Sequence, residues 1–185
     1  MTTPRKALQQ RLAQGHTIWF AGAQDALSAL LVDQSDFDGI FTTGFGVSAS
    51  LLGQPDMELY TLTENLGVVN RIANVVGKPI FADADTGYGN VLNVARTVRE
   101  FEKAGVAALS IEDQISPKRC PAAATQPLVV PVRDAVARIH AAVDARQDPA
   151  LLIVARTDVT DPSEAIDRAA RFAEAGADLI QPISR

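Results

Sequence analysis

The sequence predicts an α/β fold of the (β/α)8 barrel type, carried in about six βα units and short of the units that would close it. Three observations lead there. Short apolar runs rich in Val, Ile and Phe alternate with longer segments at helical spacing, the pattern of βα units around a parallel sheet. The chemistry-bearing residues cluster at the C-terminal ends of at least four of those runs, as barrel sites do. A helix ending in Ala-Gly before an apolar run occurs twice, in FEKAGVAALSIE from Phe101 and in FAEAGADLIQPI from Phe172.

Taken in order, strands are expected at Thr17 to Ala21, Gly39 to Thr43, Pro79 to Ala84, Ala107 to Glu112, Leu151 to Ala155 and Leu179 to Pro182. Helices fill the intervals, after a polar helix within MTTPRKALQQRLAQG. The plainest is NVLNVARTVREFEKAG. Asn90 suits its N-cap, Val91, Val94, Val98 and Phe101 recur every three or four residues, and Gly105 suits the C′ position. The repeated Ala-Gly stop fits either the shared chemistry of a helix-to-strand turn or a duplicated segment. A closed barrel needs ~250 residues, with ~200 a practical minimum, whereas this chain has 185. An open doubly wound sheet would fit the length, but the strand-end placement of the polar residues favours the barrel. Residues 1–185 are therefore expected to form a single barrel domain lacking its last quarter. Its first and sixth strands would be open edges unless another chain covers them.

Composition narrows the function. The chain is 47% hydrophobic and 21% charged with a formal net charge of -5, and its cations are dispersed, so no nucleic-acid footprint is present. No apolar run reaches the ~18 residues of a membrane span, and the N-terminus is no secretory signal, so a cytoplasmic chain with no membrane partner is expected. One cysteine, Cys120, excludes an internal disulfide. Two histidines, His16 and His140, supply neither a His-rich metal site nor a Ser-His-Asp triad comfortably. His140 sits in an amphipathic run and reads as a helix-surface residue.

The informative stretch is FADADTGYGN, Phe81 to Asn90. Along a strand, residues two apart share a face, so Asp83 and Asp85 should project together. Two close carboxylates raise one another's pKa unless a cation lies between them, and hard oxygen donors favour Mg2+ or Mn2+. A solvated surface turn fits the same spacing. Gly87 and Gly89 would let the chain turn tightly. Glu112 ends the next strand and faces inward if Ile111 faces the helices, while Asp56, in LLGQPDMEL, is either a turn residue or a fourth acid over the same mouth. TTGFG, with Thr43, Gly44 and Phe45, offers backbone N–H groups to an oxyanion. Arg156, in ARTD, is placed either for carboxylate recognition or for an ordinary ion pair. In SPKRCPAA, Lys118 and Arg119 flank Cys120 and favour its thiolate.

TTGFG, LGQPD, FADADTGYGN, NVARTV, IEDQ, PKRC and ARTD, in this order and spacing, resemble the isocitrate lyase and phosphoenolpyruvate mutase superfamily, most of all its methylisocitrate lyase branch, from about residue 18 onward. The resemblance implies a (β/α)8 barrel and a Mg2+ site for 2-oxo or 2-hydroxy di- or tricarboxylates, with a pyruvate enolate as intermediate. It implies Asp83 as the direct metal ligand, with Asp85, Asp56 and Glu112 holding the water shell. It implies Thr43, Gly44 and Phe45 at the pyruvate carboxylate, Arg156 on substrate, Cys120 as proton donor with Lys118 beside it, and a homo-oligomer. Departures fall at the substrate-distinguishing end: Pro121 and Ala122 replace a glycine and a histidine, Ile183 replaces a glutamate, and Phe45 is bulky for its loop. The expected activity is a carbon–carbon lyase acting on a small carboxylate. Decarboxylation of an oxaloacetate-type acid, phosphonomutase-like rearrangement, or a non-catalytic barrel remnant acting as a binding module are the alternatives.

Overall fold

A computed structural model describes residues 3–119 and 128–183. Six parallel strands form one sheet in chain order: β1 (Phe20–Ala23), β2 (Gly39–Thr42), β3 (Ile80–Asp83), β4 (Ala108–Glu112), β5 (Leu152–Thr157) and β6 (Leu179–Pro182). Among the described residues β1 and β6 do not pair with each other, so the sheet is a curved wall and not a closed barrel. The helices are α1 (Pro4–Ala13), α2 (Ala26–Asp33), α3 (Gly44–Leu52), α4 (Leu62–Ala73), α5 (Val91–Lys103), α6 (Val132–Ala145) and α7 (Pro162–Glu174).

Strand alternation sorts the core into two layers. On β4, Leu109 and Ile111 join the large apolar cluster beneath the helices, with Ile40 from β2, Ala82 from β3 and Ile153 and Ala155 from β5. The alternate residues Ala108, Leu152 and Val154 face the concave side and pack with Leu8 of α1, which closes the N-terminal end of the sheet. There Phe81 meets Phe20 edge-on at 5.7 Å and Phe41 at 4.9 Å. This alternation delivers Asp83, Glu112 and Arg156 to the concave side at the C-terminal ends of three adjacent strands.

Helix α5 forms as the pattern requires. The Asn90 side chain accepts from the amides of Leu92 and Asn93, and Asn93 returns a bond to Asn90's amide. Val94, Val98 and Phe101 are fully buried, each contributing ~1.5–3 kcal/mol relative to exposure. Val91 is not buried with them; it is 40% exposed. Both Ala-Gly stops are helix ends with left-handed glycines, Gly105 and Gly176, and the phenylalanines ahead of them are buried.

Two expectations need correcting. The first strand starts at Phe20 and not Thr17, because the Trp19 carbonyl is engaged by the amides of Asp38 and Gly39 and its own amide donates to the Asp38 side chain. Asp85 does not share a strand with Asp83. β3 stops at Asp83, and Asp85 takes a left-handed φ of 51° in the following turn.

Candidate active site

The mouth of the sheet gathers the acids even so. Asp56, Asp83, Asp85 and Glu112 are each 5% exposed or less. Asp83 arrives on β3, Glu112 on β4 and Asp56 from the loop after α3. Asp85 returns to the cluster through its left-handed turn, where its amide donates to Asp83 Oδ1 at 3.1 Å. Same-face alternation is therefore not what brings the pair together; a sharp turn is. Gly87 permits it, with φ 90° and a hypothetical Cβ 2.4 Å from Val94 Cγ2.

TTGFG is the start of a helix and not a free loop. Thr43 is the N-cap of α3 and the Gly44 amide donates to Asp83 Oδ2 at 3.2 Å. A Cβ on Gly44 would lie 2.6 Å from Tyr60 Oη, 3.1 Å from Asp83 Oδ2 and 3.2 Å from Asp85 Oδ1. Only glycine lets the helix terminus approach the carboxylates this closely. Phe45, one residue on, is 56% exposed.

Two cations meet these acids. Lys118 Nζ lies 2.9 Å from Asp56 Oδ2 and pairs with Asp85 Oδ1, its side chain fully buried. Arg156 Nη1 is 3.0 Å from Glu112 Oε2 and 3.8 Å from Asp83 Oδ2. The rest of the Arg156 guanidinium is committed to Asp158 by two bonds of 2.9 Å, so Nη1 alone faces the mouth. Arg156 is thus both ion-pair partner and strand-end cation. Cys120 lies outside the described residues.

Electrostatics separate the acids. Burial pushes Asp83 up, but Lys118, Arg156 and the amides of Asp85 and Gly44 outweigh it and hold the carboxyl below its ordinary value. Burial, reinforced by the Asp83 charge and opposed by Lys118, raises Asp85 to about 6. Burial also raises Asp56 and carries Glu112 well above the ordinary range against the pull of the cations. The Lys118 ammonium resists burial because four acids surround it, and its pKa is raised.

Several polar side chains here were not singled out from the sequence. Tyr88 donates to Asp85 Oδ2 at 3.0 Å, and Asn65 donates to Tyr88 Oη at 2.7 Å and to the Asp83 carbonyl at 3.0 Å. Glu58 receives the Thr86 hydroxyl and amide and the Lys118 amide. Tyr88 sits between the two glycines, and Glu58 follows Asp56 by two residues. Those positions were the available signals. A cavity of about 410 Å3 lies against Glu58 and Tyr88, lined also by Thr61, Asn93 and Arg96, but none of the four carboxylates lines it.

The donor set suits a hard divalent cation. Glu112 Oε1 and Asp56 Oδ1 are buried with neither a hydrogen-bond nor an ion-pair partner, while Asp85 Oδ1 and Glu112 Oε2 are met by Lys118 and Arg156 alone, and buried oxygens without partners call for a ligand. Among the described residues no three acids form a closed ligand set around one point. Mg2+ does not require one, since it keeps several waters and takes one or two carboxylates directly.

The family model described as phosphoenolpyruvate phosphomutase matches residues 8–185. The chain belongs to that family. It is 44% identical over 183 residues to a 2,3-dimethylmalate lyase of Eubacterium barkeri, covering 97% of this chain and 63% of the relative. It is 42% identical over 184 residues to a 2-methylisocitrate lyase of Salmonella typhimurium, covering 97% and 62%. A solved phosphonopyruvate hydrolase complex with oxalate and Mg2+ superposes with a TM-score of 0.92 at 34% identity, covering all of this chain and 64% of that one. The chain thus spans less than two thirds of the length of these relatives. The superfamily resemblance read from seven motifs is borne out, and with it the barrel-type α/β fold.

Proposed function

We propose that this chain carries the metal and 2-oxo-acid end of a Mg2+-dependent carbon–carbon lyase, with Mn2+ an acceptable substitute, acting on 2-hydroxy di- or tricarboxylates. The observation that carries the reading is the convergence of Asp56, Asp83, Asp85 and Glu112 at the sheet mouth, with buried oxygens lacking partners. The names of the two lyase relatives support the bond broken, and the oxalate and Mg2+ of the solved neighbour support the ligands.

In this reading Asp83, the acid held ionised, would hold the metal, and Asp85, Asp56 and Glu112 would hold its waters. Bound metal would supply positive potential for the oxygens of the 2-oxo acid as charge develops there. The substrate carboxylate would be met at the α3 terminus by the Phe45 amide, beside Thr43 and the Gly44 that Asp83 holds, and by Arg156 Nη1. Cleavage moves the 2-hydroxyl proton to a carboxylate of the acid cluster, breaks the adjacent carbon–carbon bond, turns the hydroxyl-bearing carbon into the carbonyl of the 2-oxo acid and leaves the electron pair as an enolate on the other fragment. Cys120 returns a proton to the enolate carbon, with Lys118 next to it in the chain.

The substrate is a small-molecule carboxylate. Residues 1–185 act as one barrel-type domain of a homo-oligomer working in the cytoplasm, without nucleic-acid or membrane partners; among the described residues no helix is long and apolar enough to cross a membrane. Release of pyruvate or another 2-oxo acid from a panel of hydroxy acids, with Mg2+ and again with EDTA, tests the activity. Metal-dependent release supports it; no 2-oxo acid from any candidate in the presence of Mg2+ overturns it. The departures at Pro121, Ala122 and Ile183 fall where substrates are told apart, and an oxaloacetate decarboxylase among the relatives supports a second reading, decarboxylation of an oxaloacetate-type acid. Adding oxaloacetate to the panel separates the two: decarboxylation releases CO2 with the 2-oxo acid, whereas cleavage of a hydroxy acid releases a second carboxylate with it.

A further inference from the structure

Two tyrosines stand beside Asp85, and only one has its hydroxyl in use. Tyr88 Oη donates to Asp85 Oδ2 at 3.0 Å and accepts from Asn65 at 2.7 Å. Tyr60 is 2% exposed, and among the described residues its buried hydroxyl has no hydrogen-bond partner. It lies near Asp85, whose raised pKa it opposes, but not in hydrogen-bonding geometry to either carboxylate oxygen.

The phenol is held in place from both ends. Its ring belongs to the apolar core, 6.5 Å from the ring of Tyr88. The next residue, Thr61, is the N-cap of α4 in a capping box with Glu64. From this anchor Oη reaches the start of α3, where a Cβ on Gly44 would lie 2.6 Å from it. Glycine at that position is what admits the hydroxyl.

A phenol offers one donor, and a buried donor without an acceptor weighs against the fold. The carboxylate oxygens around it are met from elsewhere, Asp83 Oδ2 by the Gly44 amide and Asp85 Oδ1 by Lys118. The hydroxyl therefore stands ready at the helix terminus for an acceptor that arrives from outside the protein.

We propose that Tyr60 is a further ligand-binding residue of this mouth, its hydroxyl donating to the carboxylate that the α3 terminus receives. With the Phe45 amide and Arg156 Nη1 it gives that carboxylate three donors, all separate from the acids assigned to the cation. The inference rests on the reading of the mouth as a divalent-cation and 2-oxo-acid site.

Tyr60→Phe on the 185-residue chain keeps the ring and removes only the hydroxyl. Calorimetric titration with Mn2+ alone, then with oxalate at saturating Mn2+, is read beside a thermal melt. Mn2+ affinity is expected to stay within about twofold of the wild type, while oxalate binding weakens about tenfold. The melting temperature should hold or rise, because the fold loses a donor that it left unsatisfied. A misfolded variant cannot give that combination.

Unchanged oxalate affinity overturns the proposal. So does an equal loss of Mn2+ affinity, which would put the hydroxyl in the service of Asp85, and so does a lowered melting temperature, which would reveal an acceptor within the fold. If the wild type binds oxalate with Mn2+ and Asp83→Ala abolishes that binding, the reading of the mouth survives such a failure. If the wild type binds no oxalate with Mn2+, both fall together.

Discussion

Glu112 and Asp113 are neighbours in the chain, both buried, and they meet opposite fates. Asp113 points to the outer side of the sheet, where it accepts from the Thr157 hydroxyl at 2.6 Å, the Asp158 amide at 3.0 Å and Arg168 at 3.1 Å. Glu112 points to the concave side, where Arg156 meets Oε2 at 3.0 Å and Oε1 has no partner. Burial raises the pKa of both, but at Asp113 the hydrogen bonds and Arg168 act against it, whereas Glu112 is opposed only by the charges of Lys118 and Arg156 and ends well above its ordinary value. A satisfied buried acid rigidifies a fold. An unsatisfied one is a cost that a ligand can relieve.

The comparison breaks most visibly at Asp113. Asp113→Ala leaves Arg168 with Glu164 as its acidic partner but frees the buried Thr157 and Asp158 donors, and should cost ~1–3 kcal/mol in urea unfolding. Oxalate binding should then suffer only through lost folding.

Asp83→Ala should do the reverse. Mg2+-dependent oxalate binding, followed by titration, should fall on the order of 100-fold, with stability lowered only modestly through the freed Gly44 and Asp85 amides. Retained binding would remove Asp83 from its assigned role.

Gly44→Ala tests whether approach of the α3 terminus matters. Alanine favours the helix, yet its Cβ would collide with Tyr60 and crowd Asp83. Oxalate affinity should drop about tenfold or more.

The smallest effect on stability belongs to Glu112→Gln. Keeping the shape and removing the charge should leave unfolding within ~1 kcal/mol of the wild type, on the stabilising side, while oxalate binding weakens. Destabilisation like that of Asp113→Ala would show that the two sides of the sheet are not different in kind.

Much of this was legible beforehand because it depends on near neighbours in the chain. The cap at Asn90, the stops at Gly105 and Gly176, and the facing of Ile111 and Glu112 to opposite layers all follow from local spacing. The motifs also gave the family. Less legible was anything that joined distant segments or left the regular strand. Alternation suggested the meeting of Asp83 and Asp85, but the actual cause is a left-handed turn at Asp85. Lys118 read as the neighbour of a thiol, and its ammonium instead reaches acids from two other loops. Glu58, Asn65 and Tyr88 gave no pattern of their own. Their roles arise from partners 60, 18 and 3 positions away.

By itself, then, the sequence determined the order of βα units, the inward and outward faces of each strand, and the set of acids at the strand ends. Those follow from periodicities of two and 3.6 residues and from capping chemistry, all of which act within a few residues. The tertiary structure alone decided which cation stands among the acids, which buried carboxylate is satisfied and which is left open. Those outcomes depend on distances between segments far apart in the chain, and on the loss of water that makes each pairing or orphaned oxygen count.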